Sequence, residues 1–158
     1  MALNTIRRGA LEYLTADCIA VPHGFTTRLG GVSEGTLASL NLGTRRGDDP
    51  ARVLENYRIL GRAIGFAPEN LVLTRQIHSD IVRRVGRAEA GAGLFRPDLE
   101  GCDGLITNEP GIGLVAFAAD CTPVLLWDPE TGAVGAVHAG WRGTANRFAA
   151  KAVRAMTD

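Results

Sequence analysis

One segment of the chain repeats apolar residues at helical spacing. Its apolar positions are Val53, Tyr57, Leu60 and Ile64. Asp49 is typical of an N-cap, Pro50 of a first helical position, and Gly65 of a C-terminal cap. The pattern therefore predicts a helix that begins at Pro50 and ends before Gly65.

Short apolar runs separated by Gly, Pro and Asp indicate strands elsewhere in the chain. The predicted strands cover residues 19–26, 71–73, 81–82, 104–107, 112–118, 124–127 and 133–138. A closing helix is predicted from Thr144, as its N-cap, to about Met156. The Gly- and Ala-rich composition of residues 86–103 predicts a long loop. The alternation of strands and helices predicts an α/β fold (mixed α+β), with a large mixed β-sheet flanked by helices.

The chain has 158 residues, which suits a single domain over residues 1–158. Seventeen basic and seventeen acidic side chains leave no net charge, which argues against binding of nucleic acid or a membrane surface. Because there is no bilayer-spanning apolar run and no signal peptide, we predict a cytoplasmic protein. The last predicted helix reaches the end of the sequence with no strand after it, so we expect that a C-terminal portion is missing.

Three metal-capable side chains, His78, Cys121 and His138, interrupt apolar or Gly-rich stretches. Two imidazoles and one thiolate suit a catalytic zinc site, where three protein ligands leave a fourth position open. A mononuclear copper site uses the same residue types but usually adds a Met ligand, and Met1 and Met156 are remote from these segments in sequence. Zinc is therefore favoured over copper. The alternative is a buried thiol with histidines that are hydrogen-bonded to the backbone.

A second candidate site is the Gly-rich segment that follows the last predicted strand. Gly140 and Gly143 would expose backbone N–H groups at a helix start capped by Thr144. Arg142 adds a positive charge, so the segment predicts an anion cradle. The alternative is a glycine-lined turn that lets a strand and a helix pack closely. Arg28, in an earlier Gly-containing loop, is a further anion candidate.

Five segments of the chain appear in the order found in a known family. They are HGFTTRLGGVSEG (23–35), SLNLG (39–43), QIH (76–78), ADCTPVLL (119–126) and HAGWRG (138–143). In these segments the chain resembles the laccase-domain family, once labelled multicopper polyphenol oxidase and now regarded as zinc-dependent purine nucleoside phosphorylases. Some members are named peptidoglycan editing factors. The resemblance implies a large mixed-sheet fold shared with certain deamidating toxins.

The resemblance implies that His78, Cys121 and His138 are the metal ligands. It also implies phosphorolysis of adenosine, inosine, guanosine and methylthioadenosine to the base and ribose 1-phosphate, with adenosine deamination as a second activity. Purine nucleoside and phosphate are then the partners. The predicted substrate or phosphate ligands are Arg28, Asn41, Gly140, Arg142 and Gly143. Family members typically continue into a C-terminal portion with an IGPxI segment, which this sequence lacks.

Asp120 and Asp103 are candidate proton carriers, and Arg142 is the third predicted catalytic residue. Alternatively, both carboxylates accept backbone N–H bonds in loops. Three other functions stay open. They are a metal-free cysteine hydrolase with Cys121 as nucleophile and His138 as base, a truncated scaffold without turnover, and a mononuclear copper oxidoreductase. Three histidines are too few for a four-copper oxidase. We expect a monomer or a homodimer.

Overall fold

The computed structural model describes residues 1–157, which form nine strands and three α-helices. The chain divides into two compact units, the first spanning Met1–Pro68 and the second starting at Glu69. The mixed α/β class is confirmed, although the strands lie in three sheets rather than in one large sheet. The single domain over residues 1–158 stays a prediction. Within residues 1–157, no helix has both the length and the apolar character needed to cross a bilayer.

The first unit begins with a β-hairpin that the apolar pattern did not predict. Strand β1 (Leu3–Arg8) pairs antiparallel with β2 (Leu11–Ala16), and β2 pairs antiparallel with β3 (Phe25–Thr26). β1 is exposed at all but one position, so it carries no apolar signal to reveal it. The strand predicted over residues 19–26 is wrong except for its last two residues.

Helix α1 (Pro50–Ile64) is confirmed together with both of its predicted caps. The Asp49 side chain accepts from the Ala51 backbone N–H at 2.9 Å, and Gly65 adopts the left-handed conformation with φ 98°. A single N-cap of this kind stabilises a helix by about 1 kcal/mol. The buried apolar cluster that holds the helix in the first unit contains Leu11, Tyr13, Leu40 and Leu60.

The second unit contains the remaining strands and two helices. Its strands are β4 (Leu71–Leu73), β5 (Val82–Arg84), β6 (Gly104–Thr107), β7 (Gly113–Val115), β8 (Thr122–Trp127) and β9 (Val134–Ala139). β4 and β7 form a parallel pair, whereas β5, β6, β9 and β8 form a four-stranded sheet in that order. Since β5 is parallel to β6 and the other pairs are antiparallel, this sheet is mixed.

The predicted closing helix is split in two. Helix α2 (Trp141–Ala145) is followed by α3 (Phe148–Thr157), with Arg147 at a positive φ of 55° between them. The prediction of one helix capped by Thr144 is therefore wrong. Phe148 and Ala152 of α3 are fully buried and pack against β9 in an apolar cluster. This packing explains the apolar pattern that the segment carries.

Candidate metal centre

The second unit brings together three side chains that are far apart in sequence. The ligand atoms of His78, Cys121 and His138 lie within 4.8 Å of one another. The two imidazole rings stand edge to face, with centroids 5.1 Å apart. Antiparallel pairing of β8 and β9 sets Thr122 opposite Ala139, so that Cys121, one residue before β8, reaches the end of β9. Sheet register therefore accounts for two of the three positions.

The buried carboxylate of Asp103 orients the His138 ring. Asp103 is fully buried and its Oδ1 lies 2.9 Å from His138 Nδ1. Asp103 directly precedes β6, which pairs with β9, and its backbone oxygen also accepts from the His138 N–H at 2.7 Å. When Nδ1 carries the proton donated to a carboxylate, Nε2 keeps a free lone pair, which is the arrangement of many metal-bound histidines.

The same carboxylate holds the segment that carries His78. It accepts from three consecutive backbone N–H groups, those of Ile77 at 3.0 Å, His78 at 3.0 Å and Ser79 at 2.9 Å, and from the Ser79 hydroxyl at 2.8 Å. His78 has φ 57°, a left-handed conformation that costs on the order of 1–3 kcal/mol for a residue with a side chain. The hydrogen bonds to Asp103 offset that cost.

Asp103 is a carboxylate with both oxygens engaged. Burial favours its neutral form, but donors from His138, Ser79 and Ile77 outweigh burial and hold the pKa of Asp103 below its usual value. Of the two interpretations considered for this residue, the geometry favours an acceptor of loop N–H bonds. Five donors occupy the carboxylate, and the proton-carrier role of Asp103 stays a prediction.

Gln76 is a site residue for which the sequence assigned no role. Its Oε1 accepts from the Phe117 N–H at 2.7 Å and from the Thr74 hydroxyl at 2.9 Å, and its Nε2 donates to the Phe117 carbonyl at 2.9 Å. These bonds tie the segment before His78 to the segment before Cys121. The sequence signal that could have revealed this role is the position of Gln76 in the QIH segment, two residues before the predicted ligand His78.

Gly140 lies against all three predicted ligands. A Cβ placed on it would be 3.3 Å from His78 Cδ2, 3.4 Å from Cys121 Sγ and 3.8 Å from His138 Cε1. Its backbone, with φ −67° and ψ 176°, is a conformation that any residue adopts. Space beside the ligands, rather than backbone freedom, therefore favours glycine here.

The predicted anion cradle is not formed as expected. Helix α2 begins at Trp141, so the helix start predicted at Thr144 is wrong, and Thr144 instead donates its N–H to the Gly140 carbonyl at 2.8 Å. Gly143 is buried, and a Cβ there would lie 3.2 Å from Phe148 Cδ1, which favours the packing interpretation of this glycine. Phosphate binding by Gly140 and Gly143 stays a prediction.

Two charged candidates lie at exposed positions of the second unit. Arg142 is exposed, with its guanidinium carbon 5.1 Å from the centre of the Trp141 ring. Asp120 is exposed and directly precedes Cys121 in the chain. Their catalytic roles stay predictions.

The other two candidates belong to the first unit. The Arg28 side chain donates to the Ala38 carbonyl, and the Asn41 amide bonds to Gly43 and to Asp48 Oδ2. Both side chains thus hold the unit's own loops. Their predicted binding of substrate or phosphate is untested by these contacts.

Sequence comparison identifies the family. Residues 22–158 match the profile described as multi-copper polyphenol oxidoreductase laccase. The chain belongs to this laccase family. The resemblance that the five segments carried is thereby confirmed.

Two relatives show how the family members are named. A purine nucleoside phosphorylase of Deinococcus radiodurans is 44% identical over 148 residues, which cover 94% of this chain and 54% of the relative. The purine nucleoside phosphorylase YlmD of Geobacillus stearothermophilus is 41% identical over 128 residues, covering 80% of this chain and 47% of YlmD. The chain spans about half the length of the curated relatives it matches.

A solved structure of the laccase family shares the fold. The crystal structure of YlmD from Geobacillus stearothermophilus superposes with a TM-score of 0.82 at 37% identity, covering 92% of this chain and 55% of YlmD. A hypothetical protein of Bacillus licheniformis, YfiH, matches with a TM-score of 0.78 at 37% identity, covering 83% of this chain and 50% of its own. The mixed α/β arrangement is therefore that of a known laccase-family fold.

Proposed function

We propose that the chain carries the metal centre of a zinc-dependent purine nucleoside phosphorylase, which cleaves a purine nucleoside with phosphate. The observation that carries the proposal is the convergence of His78, Cys121 and His138, whose ligand atoms lie within 4.8 Å of one another. Relatives named purine nucleoside phosphorylase support the reaction class. The family description mentions copper, so the donor set must decide which metal fits.

The donor set fits zinc. Two imidazoles and one thiolate, with room for a fourth ligand, are typical of catalytic zinc. A blue-copper site with the same residues usually adds an axial Met. Met156 lies near Thr107, which pairs with Val134 at the end of the β6–β9 pair opposite His138. Zinc is therefore the proposed metal.

Several residues of this chain would prepare the centre for nucleoside and phosphate. Asp103 holds the His138 ring with Nε2 free, and Gly140 leaves space beside the ligand atoms. When bound, zinc would supply Lewis acidity and an open coordination position. Arg142 is the proposed phosphate-binding cation, and Asp120 is the proposed proton carrier to the leaving base. Both are exposed, as residues that meet a substrate from solvent must be.

The test combines elemental analysis with a phosphate-dependent assay on the purified chain. We expect bound zinc near one equivalent and release of adenine from adenosine only when phosphate is present. Ammonia release from adenosine would reveal the accompanying deaminase activity. A chain free of zinc after purification and after incubation with zinc would refute the metal centre. Zinc binding without adenine release would refute phosphorolysis by this chain and leave the centre standing.

A second candidate function rests on one specific contact. The hydrogen bond between His138 and Asp103, with the Cys121 thiol within 4.8 Å of a His138 ring nitrogen, resembles the nucleophile, base and orienting carboxylate of a cysteine hydrolase. Such an enzyme would act without metal. Hydrolysis of an activated ester that survives chelation, and that stops when Cys121 is alkylated, would favour it over the phosphorylase.

A further inference from the structure

One oxygen of Asp103 contacts two of the three ligand-bearing residues. Oδ1 lies 3.0 Å from the His78 backbone nitrogen and 2.9 Å from His138 Nδ1. His138 is placed by strand pairing, whereas His78 lies in the irregular segment between β4 and β5 and is exposed. The carboxylate therefore connects a ligand on the sheet to a ligand on a loop.

The other oxygen of the Asp103 carboxylate binds the residues on either side of His78. Oδ2 accepts from the backbone N–H groups of Ile77 and Ser79 and from the Ser79 hydroxyl. Consecutive N–H groups that converge on one anion form a nest, a conformation that needs a left-handed residue such as His78. In this chain the anion of the nest is an internal side chain. The position of the His78 ring thus depends on Asp103.

We propose that Asp103 is a positioning residue that sets His78 and His138 in their ligand arrangement before any metal binds. This inference rests on the metal centre proposed above. A neutral side chain at this position offers fewer acceptors, so part-buried N–H groups lose partners and the strained His78 conformation loses its support. Without Asp103, metal binding would itself have to order the segment that carries His78. The free energy needed for that ordering would lower the metal affinity.

The principal experiment measures zinc affinity by competition with a chromophoric chelator, in the wild-type chain and in two variants. Asp103→Asn keeps the shape but replaces one acceptor oxygen by an NH₂ group, and we expect about a 10–100-fold loss of affinity. Ser79→Ala is the matched control, since it removes one hydroxyl donor and leaves all three nest N–H groups. We expect it to change affinity by less than about threefold. Equal affinities for Asp103→Asn and wild type, with the fold intact, would overturn the proposal.

A double-mutant cycle with His78→Ala separates positioning from general stability. If Asp103 acts partly through His78, Asp103→Asn costs less affinity when His78 is already absent. A purely structural role predicts additive losses. Absorption of the cobalt-substituted protein supplies a second readout, because a displaced histidine changes the intensity of the visible bands. Additive losses together with unchanged bands would contradict the proposed coupling.

A measurement on the wild type keeps the proposal testable if Asp103→Asn does not fold. In the metal-free chain, hydrogen exchange should find the amides of Ile77, His78 and Ser79 protected, because Asp103 already holds them. Free exchange at these amides would refute the preset arrangement. This outcome differs from failure of the proposed function, in which the wild-type chain binds no zinc while the three amides remain protected.

Discussion

Each compact unit contains a fully buried polar side chain that gathers loop segments around it. In the first unit it is Asn56, whose Oδ1 accepts from the Val32 N–H at 2.8 Å and whose Nδ2 donates to Ser33 Oγ and to the Asn41 carbonyl, each at 2.8 Å. In the second unit it is Asp103. Both side chains have their hydrogen-bonding capacity filled, as buried polar groups require.

The difference lies in what surrounds each side chain. Two residues that bond to Asn56 also share a second partner: the Ser33 hydroxyl donates to Asp48 Oδ2 at 2.6 Å, and the Asn41 amide donates to the same oxygen at 2.9 Å. Around Asp103, by contrast, the structure of residues 1–157 contains no hydrogen bond to the His78 ring or to the Cys121 thiol. A buried polar cluster by itself indicates stability. Side chains that can ligate a metal, that lie close together and that make no hydrogen bond of their own indicate a binding site.

The largest expected effect is the loss of metal from Cys121→Ala. This variant removes the thiolate, the strongest zinc ligand of the proposed centre, so elemental analysis should find bound zinc near zero. Cys18→Ala is the matched control, because Cys18 is an exposed free thiol in the first unit. Retention of zinc by Cys121→Ala would show that Cys121 is not a zinc ligand and that the binding site lies elsewhere.

The next effect concerns the first unit. Asn56→Ala removes the partner of the buried Ser33 hydroxyl and of the part-buried Val32 N–H and Asn41 carbonyl, so the free energy of unfolding should fall by about 3 kcal/mol in urea titrations. Arg58→Ala, on the exposed face of the same helix, should change it by less than about 0.5 kcal/mol. We expect zinc content to be unchanged, since Asn56 supplies no ligand. Loss of zinc from Asn56→Ala with the fold intact would contradict the proposal that the Asn56 cluster serves stability alone.

A smaller effect is expected from Gly140→Ala. The added methyl group would lie 3.3 Å from the His78 ring carbon Cδ2 and 3.4 Å from Cys121 Sγ, so zinc affinity should fall about tenfold, the lower end of what disturbed ligand surroundings cost. Gly135→Ala, on β9, is the control, because its Cβ would meet Leu126 Cβ at a similar 3.3 Å with no predicted ligand among its nearest neighbours. Equal zinc affinity in Gly140→Ala and Gly135→Ala would show that the space at Gly140 does not matter for metal binding.

The smallest effect is a pH dependence in the first unit. Hydrogen bonds from Ser33 and Asn41 hold the pKa of Asp48 below its usual 3.8. The stability that this depression contributes is fully present above pH 3.8 and is lost as the pH falls through the lower folded pKa. Urea midpoints measured from pH 7 to pH 3 should therefore fall less steeply at the acid end in Asp48→Asn than in wild type. Parallel curves would show that the Asp48 bonds contribute nothing.

Local signals in the sequence predicted the parts of the fold that local interactions determine. The caps and apolar face of α1 are encoded within its own residues, and the prediction matched. The β1–β2 hairpin was missed, because β1 is exposed and charged and takes its structure from pairing with β2. The break between α2 and α3 was missed as well, since a left-handed Arg147 leaves no mark in the apolar periodicity.

The candidate site shows the same division. His78, Cys121 and His138 could be selected by residue type and family likeness, and the structure places them together. The role of Asp103 could not be chosen from sequence, because an aspartate in a loop also suits proton transfer. The register of β6 against β9 sets Asp103 beside His138, and the tertiary contact with residues 77–79 encloses its carboxylate with N–H groups. Residue type indicates what chemistry is available, and tertiary contacts decide which residues use it.

The three proposed ligands come from separate stretches of the second unit: the connection after β4, the residue before β8 and the end of β9. An ion held among them would act as a cross-link between parts of the backbone that otherwise meet only through noncovalent packing. If such an ion binds the native form more tightly than the unfolded chain, raising its concentration raises the melting temperature by mass action. Thermal unfolding of this unit, followed with and without a chelator, thereby becomes a direct gauge of occupancy.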